Sequence, residues 1–299
     1  MRIRRVLKPG LLLSLVVGVC CTAAAQDAAL VAEREPLTGM NPFVLTSLVS
    51  SKLVVEIDWV EGSRPSDRSV RAIGDVLREH CEEGKQIEIR LDDEIPRSVW
   101  VEAPDRSGLE ELVAHNLDGD PADWRRAELL YVLFVPDGGP WYEGFLSGVT
   151  DRITFDRQGR VMSVRTVLLF TDEMRRDATL WITMRKVERA TVVHELGHVL
   201  GLVSNSDHVQ PKHPRHCRTA RCVMHRPGVR AALVNGLPAF FAGRIPSRYG
   251  PRCRRDIADA KQAWDEQSKA SPGFVRDLIT ERLLREKQEA EAWKRLRRP

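Results

Sequence analysis

The sequence predicts an α+β fold, with strands and helices up to about residue 200 and a loop-rich, helical C-terminal part after it. Three observations carry this. Two runs dense in β-branched and apolar residues, KLVVEIDWV at 52–60 and ELLYVLFV at 128–135, read as strands. Apolar residues recur at helical spacing in 67–82 and again in 179–202. From 202 to 251 neither period holds, and a stretch of that length is usually functional or unstructured. A chain of 299 residues with 42% hydrophobic content can bury a core as one large domain or two small ones.

The first 25 residues have the layout of a secretory signal peptide. Arg2, Arg4, Arg5 and Lys8 precede a short apolar run from Leu11 to Val19, and Ala23-Ala24-Ala25 supplies small residues for cleavage. The run is too short to span a bilayer, which takes about 20 residues. Cys20 and Cys21 raise a lipoprotein alternative, opposed by the bulky Val19. The four basic residues of this leader account for the whole excess of 46 Lys and Arg over 42 Asp and Glu. The remaining chain is neutral, which argues against a nucleic-acid surface. The expected product is therefore exported, periplasmic or extracellular, with no stable membrane span.

Beyond an extended lead at 26–50, the elements follow in order. The strand at 52–60 leads through a Gly- and Pro-containing loop to the helix at 67–82, whose start Ser66 or Asp67 can cap. A second strand is expected at 86–91 (QIEIRL), which alternates. The near-continuous apolar run at 128–135 suits a central strand buried on both faces. Residues 153–156 and 161–170 flank a Gln158-Gly159 turn and predict a hairpin. After the long helix at about 179–202 and the aperiodic stretch, two helical segments return from Arg252. The last, 274–297, is dense in Glu, Lys and Arg and reads as a solvated helix.

The long helix carries His194-Glu195-Leu196-Gly197-His198. Residues four apart on an α-helix differ by about 40° after a full turn, so both imidazoles face one way. That spacing lets His194 and His198 hold one zinc ion at about 2.0–2.1 Å. Glu195 lies on a neighbouring face, within reach of water that the metal acidifies, and can take its proton. These are the mechanics of metal-assisted peptide hydrolysis, with Glu195 first as base and then as acid to the leaving amine. Two His and one Glu on a helix that is apolar around its end would be costly to bury without partners or a metal. The helix should stop at Gly201, which accepts the left-handed conformation of a C-terminal cap. A tetrahedral site with one open position needs a third ligand, and Asp207, His208, His213 and His216 all follow.

His194 to Gly201 resembles the metzincin signature, although Ser204 stands where metzincins carry a His or Asp three residues after the glycine. His216-Cys217, four residues, Cys222, one residue and Met224 resemble the archaemetzincin arrangement. The likeness extends over about 50–255, including Leu53 to Asp58. It implies a metzincin-like zincin fold with a mixed twisted sheet. The domains would be a signal peptide at 1–25, a catalytic domain at 26–252 and a C-terminal helical segment at 253–299. It also implies one catalytic Zn2+ held by His194, His198 and His216, with His213 and then His208 as alternates, and Met224 in the turn beneath the metal. The strand before the active-site helix, 164–170, would pair with an extended substrate.

The resemblance also bears on the cysteines. Archaemetzincins hold a second, structural zinc with a later Cys pair, and here only Cys253 is present. In an exported chain a Cys217–Cys222 disulfide, with Cys81 and Cys253 as the other pair, is then the expected use. The function implied is a zinc metallopeptidase acting on a peptide or protein substrate, with no nucleic-acid partner. The alternative is a zinc-binding structural or interaction protein, in which a fourth protein ligand closes the site.

Overall fold

The computed structural model describes residues 39–103, 105–118, 127–137, 147–157, 160–178, 182–203, 207–211, 213–225 and 245–296. The leader therefore lies outside the described residues, as do Ser204 and the Gln158-Gly159 turn.

A five-stranded sheet forms the centre. Its strands are β1 (Lys52–Val60), β2 (Gln86–Ile95), β3 (Glu128–Val135), β4 (Gly148–Arg157) and β5 (Arg160–Phe170). Their order across the sheet is β2-β1-β3-β5-β4. All neighbours are parallel except β4, which runs antiparallel to β5 as the expected hairpin. The sheet is thus mixed, and β4 forms one of its edges.

The runs that read as strands do so for the expected reason. In β3, Tyr131, Leu133 and Val135 join the core cluster on one face, with Trp100, Leu109, Leu112 and Val113. Leu130, Val132 and Phe134 alternate to the other face and are equally buried. An internal strand covered on both sides must be apolar throughout.

Helices cover the sheet. In chain order α1 is Pro42–Leu45, α2 Asp67–His80, α3 Arg97–Glu102, α4 Arg106–Asn116, α5 Thr171–Asp177 and α6 Met184–Leu200. Ser66 caps α2 by accepting from the Ser69 N–H. The Ser66 N–H and hydroxyl both donate to Glu188 of α6, tying the two helices together. β2 runs past the expected 86–91 to Ile95, and α3 and α4 follow it.

The long helix is shorter than its pattern, Met184–Leu200 rather than 179–202, and residues 179–181 are outside the described set. It ends where expected: Gly201 is left-handed at φ 83°. A Cβ at Gly201 would lie 2.0 Å from the Gly39 carbonyl oxygen, so only glycine fits. The N-terminal lead explains this closeness. Asn41 donates from its backbone to the Leu200 carbonyl and from its side chain to the Val199 carbonyl, meeting two acceptors that the helix end leaves open.

Beyond α6 come two short strands, β6 (Val209–Gln210) and β7 (His213–Cys217), and two long helices, α7 (Pro251–Ala270) and α8 (Phe274–Leu296). The domain boundary expected at 252/253 falls inside the first turn of α7. α8 is tied to the sheet and its helices by Arg282, which pairs with Glu128, and by Trp293, which donates to Glu110. None of the helices of the described residues is long and apolar enough to cross a membrane.

Candidate metal centre

α6 and β7 bring three imidazoles together. The Nε2 atoms of His194 and His198 are 3.2 Å apart. Two nitrogens at about 2.0–2.1 Å from a tetrahedral zinc lie about 3.3 Å from each other, so this pair already has the edge length of such a site. The His216 ring lies 5.2 Å from that of His194 and 5.3 Å from that of His198, centre to centre. One ligand atom from each of the three falls within 4.8 Å of the others.

The rings are held from behind. His194 Nδ1 lies 2.8 Å from the Val223 carbonyl and His216 Nδ1 3.2 Å from that of Pro214. A carbonyl accepts only, so Nδ1 is the protonated nitrogen in both rings and Nε2 keeps its lone pair for a metal. Burial, then the neighbouring His194, His216 and Arg215, push His198 down to about 2. It is therefore neutral, as a ligand must be. Arg215 adopts a left-handed φ of 69° and turns the chain immediately before His216.

Glu195 is buried on the adjoining face. Its Oε2 accepts from Thr150 Oγ1 at 3.0 Å. Burial pushes its carboxyl up, opposed by His194 and by the Thr150 hydrogen bond. Thr150 belongs to β4, which comes close to α6 because residue 148 is glycine. A Cβ there would meet Glu195 Cγ and Thr191 Cγ2 at 3.0 Å each.

Met224 lies beneath the helix and is fully buried. Gly197 makes room for it: a Cβ at 197 would lie 2.1 Å from Met224 Sδ. Tyr249 supports the same turn of helix by donating its hydroxyl to the Val193 carbonyl at 2.8 Å.

No protein-family model matches this sequence, and no curated protein sequence is similar to it. Among solved structures, the crystal structure of archaemetzincin from Methanopyrus kandleri is similar, with a TM-score of 0.39 and 13% identity over 71% of this chain and 97% of that one. The relation is distant and lies in the fold alone. The chemistry below is read from the side chains.

Several expectations change in the folded chain. His213 lies on β7 but belongs to neither group of metal-ligating side chains among the described residues, and His208 belongs to the other one, with Cys217 and Cys253. The expected disulfides are not formed, and Cys81, Cys217, Cys222 and Cys253 are all buried free thiols. Cys81 Sγ bonds to the Val44 carbonyl, while Cys222 and Cys253 lie 3.6 Å apart, well beyond an S–S bond of about 2.05 Å. The strand at 164–170 is not free to pair with a substrate, because β5 is bonded to β3 on one side and β4 on the other. Among the described residues the edge strands of the sheet are β2 and β4.

Thr150, Gly148 and Tyr249 were not legible as site residues. Each lies tens of positions from the histidines in sequence, and none belongs to a pattern that the chemistry demands.

Proposed function

We propose that this chain is an exported zinc-dependent metallopeptidase. The observation that carries the reading is the convergence of three imidazoles beside the buried carboxylate of Glu195. Three protein ligands are the number that a catalytic zinc has, with a fourth position left open. The first metal-ligating group among the described residues contains His194, His198 and His216 and no fourth ligand, which favours turnover over a closed structural site.

A zinc ion bound there supplies Lewis acidity, polarising a carbonyl and lowering the pKa of water to about 7. Everything else falls to the chain. Thr150 engages Oε2 of Glu195, so Oε1 is the oxygen that accepts the proton of the attacking water and returns it to the departing amine. The raised affinity of the buried carboxyl for a proton suits that transfer. β4, an edge strand of the sheet among the described residues, could offer backbone groups to an extended peptide, and the same strand carries Thr150 past the base. Export rests on the basic, apolar and small-residue order of residues 1–25.

The test is hydrolysis of a mixed fluorogenic peptide pool by the zinc-loaded chain, with and without Glu195→Gln. The variant should keep its zinc and lose activity by about 100-fold or more. Undiminished hydrolysis in the variant overturns the role of Glu195, and no hydrolysis by the zinc-loaded native chain overturns the enzymatic reading.

A further inference from the structure

β4 and β5 place two arginines side by side on the face of the sheet that meets the metal centre. Arg152 and Arg165 are partners in the antiparallel ladder, and Thr150, two residues along β4, pairs with Val167. Side chains at paired positions, and at every second position of a strand, share a face. Arg152 and Arg165 therefore lie on the same face as Thr150, whose hydroxyl meets Glu195. Along the strand they are about 7 Å from Thr150.

Like charges directly opposite each other in a ladder are destabilising. The arginines near Arg165 have compensation. Arg282 pairs with Glu128 and Glu286, Arg285 with Glu281, and Arg152 with Glu289 at 3.6 Å. Arg165 has no such partner among the described residues, and its Nε is buried without a hydrogen bond. Burial first of all, and then Arg152, lowers its guanidinium from 12.5 to about 10, opposed by Glu128. It is still a cation at neutral pH. A buried cation without a counter-ion is costly, and an arriving anion relieves that cost. The planar fork of guanidinium donors matches a carboxylate in particular.

We infer that Arg165, with Arg152 beside it, binds the carboxylate of an acidic side chain in the peptide substrate. The assignment rests on the hydrolytic reading for the path of that peptide, along β4 as an edge strand among the described residues. A peptide paired with β4 runs about 5 Å from it and about 10 Å from β5, a gap that a glutamate and an arginine side chain span together. Side chains of an extended peptide alternate, so the acidic residue lies about two positions from the one held at Glu195. Arg152 is half-buried and nearer the edge, where it attracts the acid. Arg165 supplies the desolvated donors, for which a charge-assisted hydrogen bond is strongest.

The test reads binding apart from turnover. The zinc-loaded Glu195→Gln chain is titrated with an alanine-based peptide carrying one glutamate, moved along it position by position, and with the same series carrying glutamine. The Nε–H resonance of Arg165, assigned by its loss in Arg165→Met and Arg165→Lys, is followed by NMR. One glutamate position should bind about tenfold or more tighter than its glutamine counterpart and shift that resonance. In the catalytically intact chain the same position should raise kcat/KM by a similar factor, mainly through KM. Arg165→Met should bring that ratio to unity and Arg165→Lys should recover part of it, a rescue that a merely structural role would not produce. If Arg165→Met fails to fold, the titration with the lysine-based assignment still decides. Equal binding of the two series, or a preference that leaves the Arg165 resonance unmoved, overturns the proposal. A shift produced by glutarate with no preference among the peptides also overturns it, and makes the arginines a site for a free carboxylate. Loss of the hydrolytic reading alone looks different: no peptide is cleaved, yet the binding preference and the shift of Arg165 persist.

Discussion

The hydroxyl of Thr150 lies 3.0 Å from Oε2 of Glu195 and equally 3.0 Å from the Glu195 carbonyl oxygen. An edge strand of the sheet thereby fixes the carboxylate that the helix presents. Thr150→Val keeps the shape and the β-branch but removes the donor. The expected result is a fall in kcat of about tenfold, the worth of one hydrogen bond of about 1.4 kcal/mol, with KM and zinc content unchanged. Thr150→Ser should restore it. Steady-state kinetics on a peptide cleaved by the native chain decide the matter, and an unaltered kcat in the valine variant removes Thr150 from the machinery.

The choice of third ligand is open to a direct comparison. His216→Ala should lower zinc affinity at the three-histidine site by more than about 100-fold, the upper range for losing a mere outer partner. His213→Ala, on the same strand, should leave it alone. Competition with a chelator of known affinity measures both, and the reverse order would move the ligand to His213.

Gly197 and Met224 interlock, since a Cβ at 197 would lie 2.1 Å from the sulfur. Gly197→Ala should therefore destabilise the fold by about 1–3 kcal/mol through overpacking. Gly197→Ala combined with Met224→Ala should destabilise by less than the sum of the two single variants, because the second removes the obstruction. Thermal or denaturant unfolding of the four proteins supplies the cycle, and strict additivity would show that the two residues do not touch.

Stability should also depend on pH through two acids inside β1, Glu56 and Asp58. Burial first of all, opposed by the hydrogen bond from the Asp118 N–H, raises the Glu56 carboxyl from 4.5 to about 7. The nearby Asp58 is raised from 3.8 to about 6, again chiefly by burial. A raised folded-state pKa means that the native chain holds the proton more tightly than the unfolded chain. The Glu56 contribution is thus complete below about 4.5 and is lost as pH rises through about 7. Glu56→Gln removes the ionisation while keeping an acceptor for Asp118. It should raise the unfolding free energy by on the order of 2 kcal/mol near pH 8 and change it little near pH 4. Equal effects at the two pH values would show that Glu56 ionises freely in the folded chain.

Much of this architecture was legible in the residues themselves. The strands at 52–60 and 128–135 are found at those bounds, because a strand buried on both faces has to be apolar along its length. Ser66 and Gly201 mark their helix ends for reasons of backbone chemistry, and four-residue spacing alone aligns His194 with His198. All of these are local: each depends on dihedral preference or on a period within a few turns of chain.

Distance along the chain marks where that legibility ended. Only the tertiary structure places His216, rather than His208 or His213, beside His194 and His198, because nothing local says which side of β7 an imidazole faces or which helix awaits it there. The cysteines followed the same rule. Their count and the expected export pointed to disulfides, whereas packing placed Cys217 and Cys253 beside His208, and Cys222 3.6 Å from Cys253, as free thiols. Strand order made β4 rather than β5 an edge of the sheet among the described residues, since pairing partners are chosen by the whole sheet. Periodicity determined which segments became helices and strands; which side chains met was decided by long-range burial, acting between residues that share no pattern in sequence.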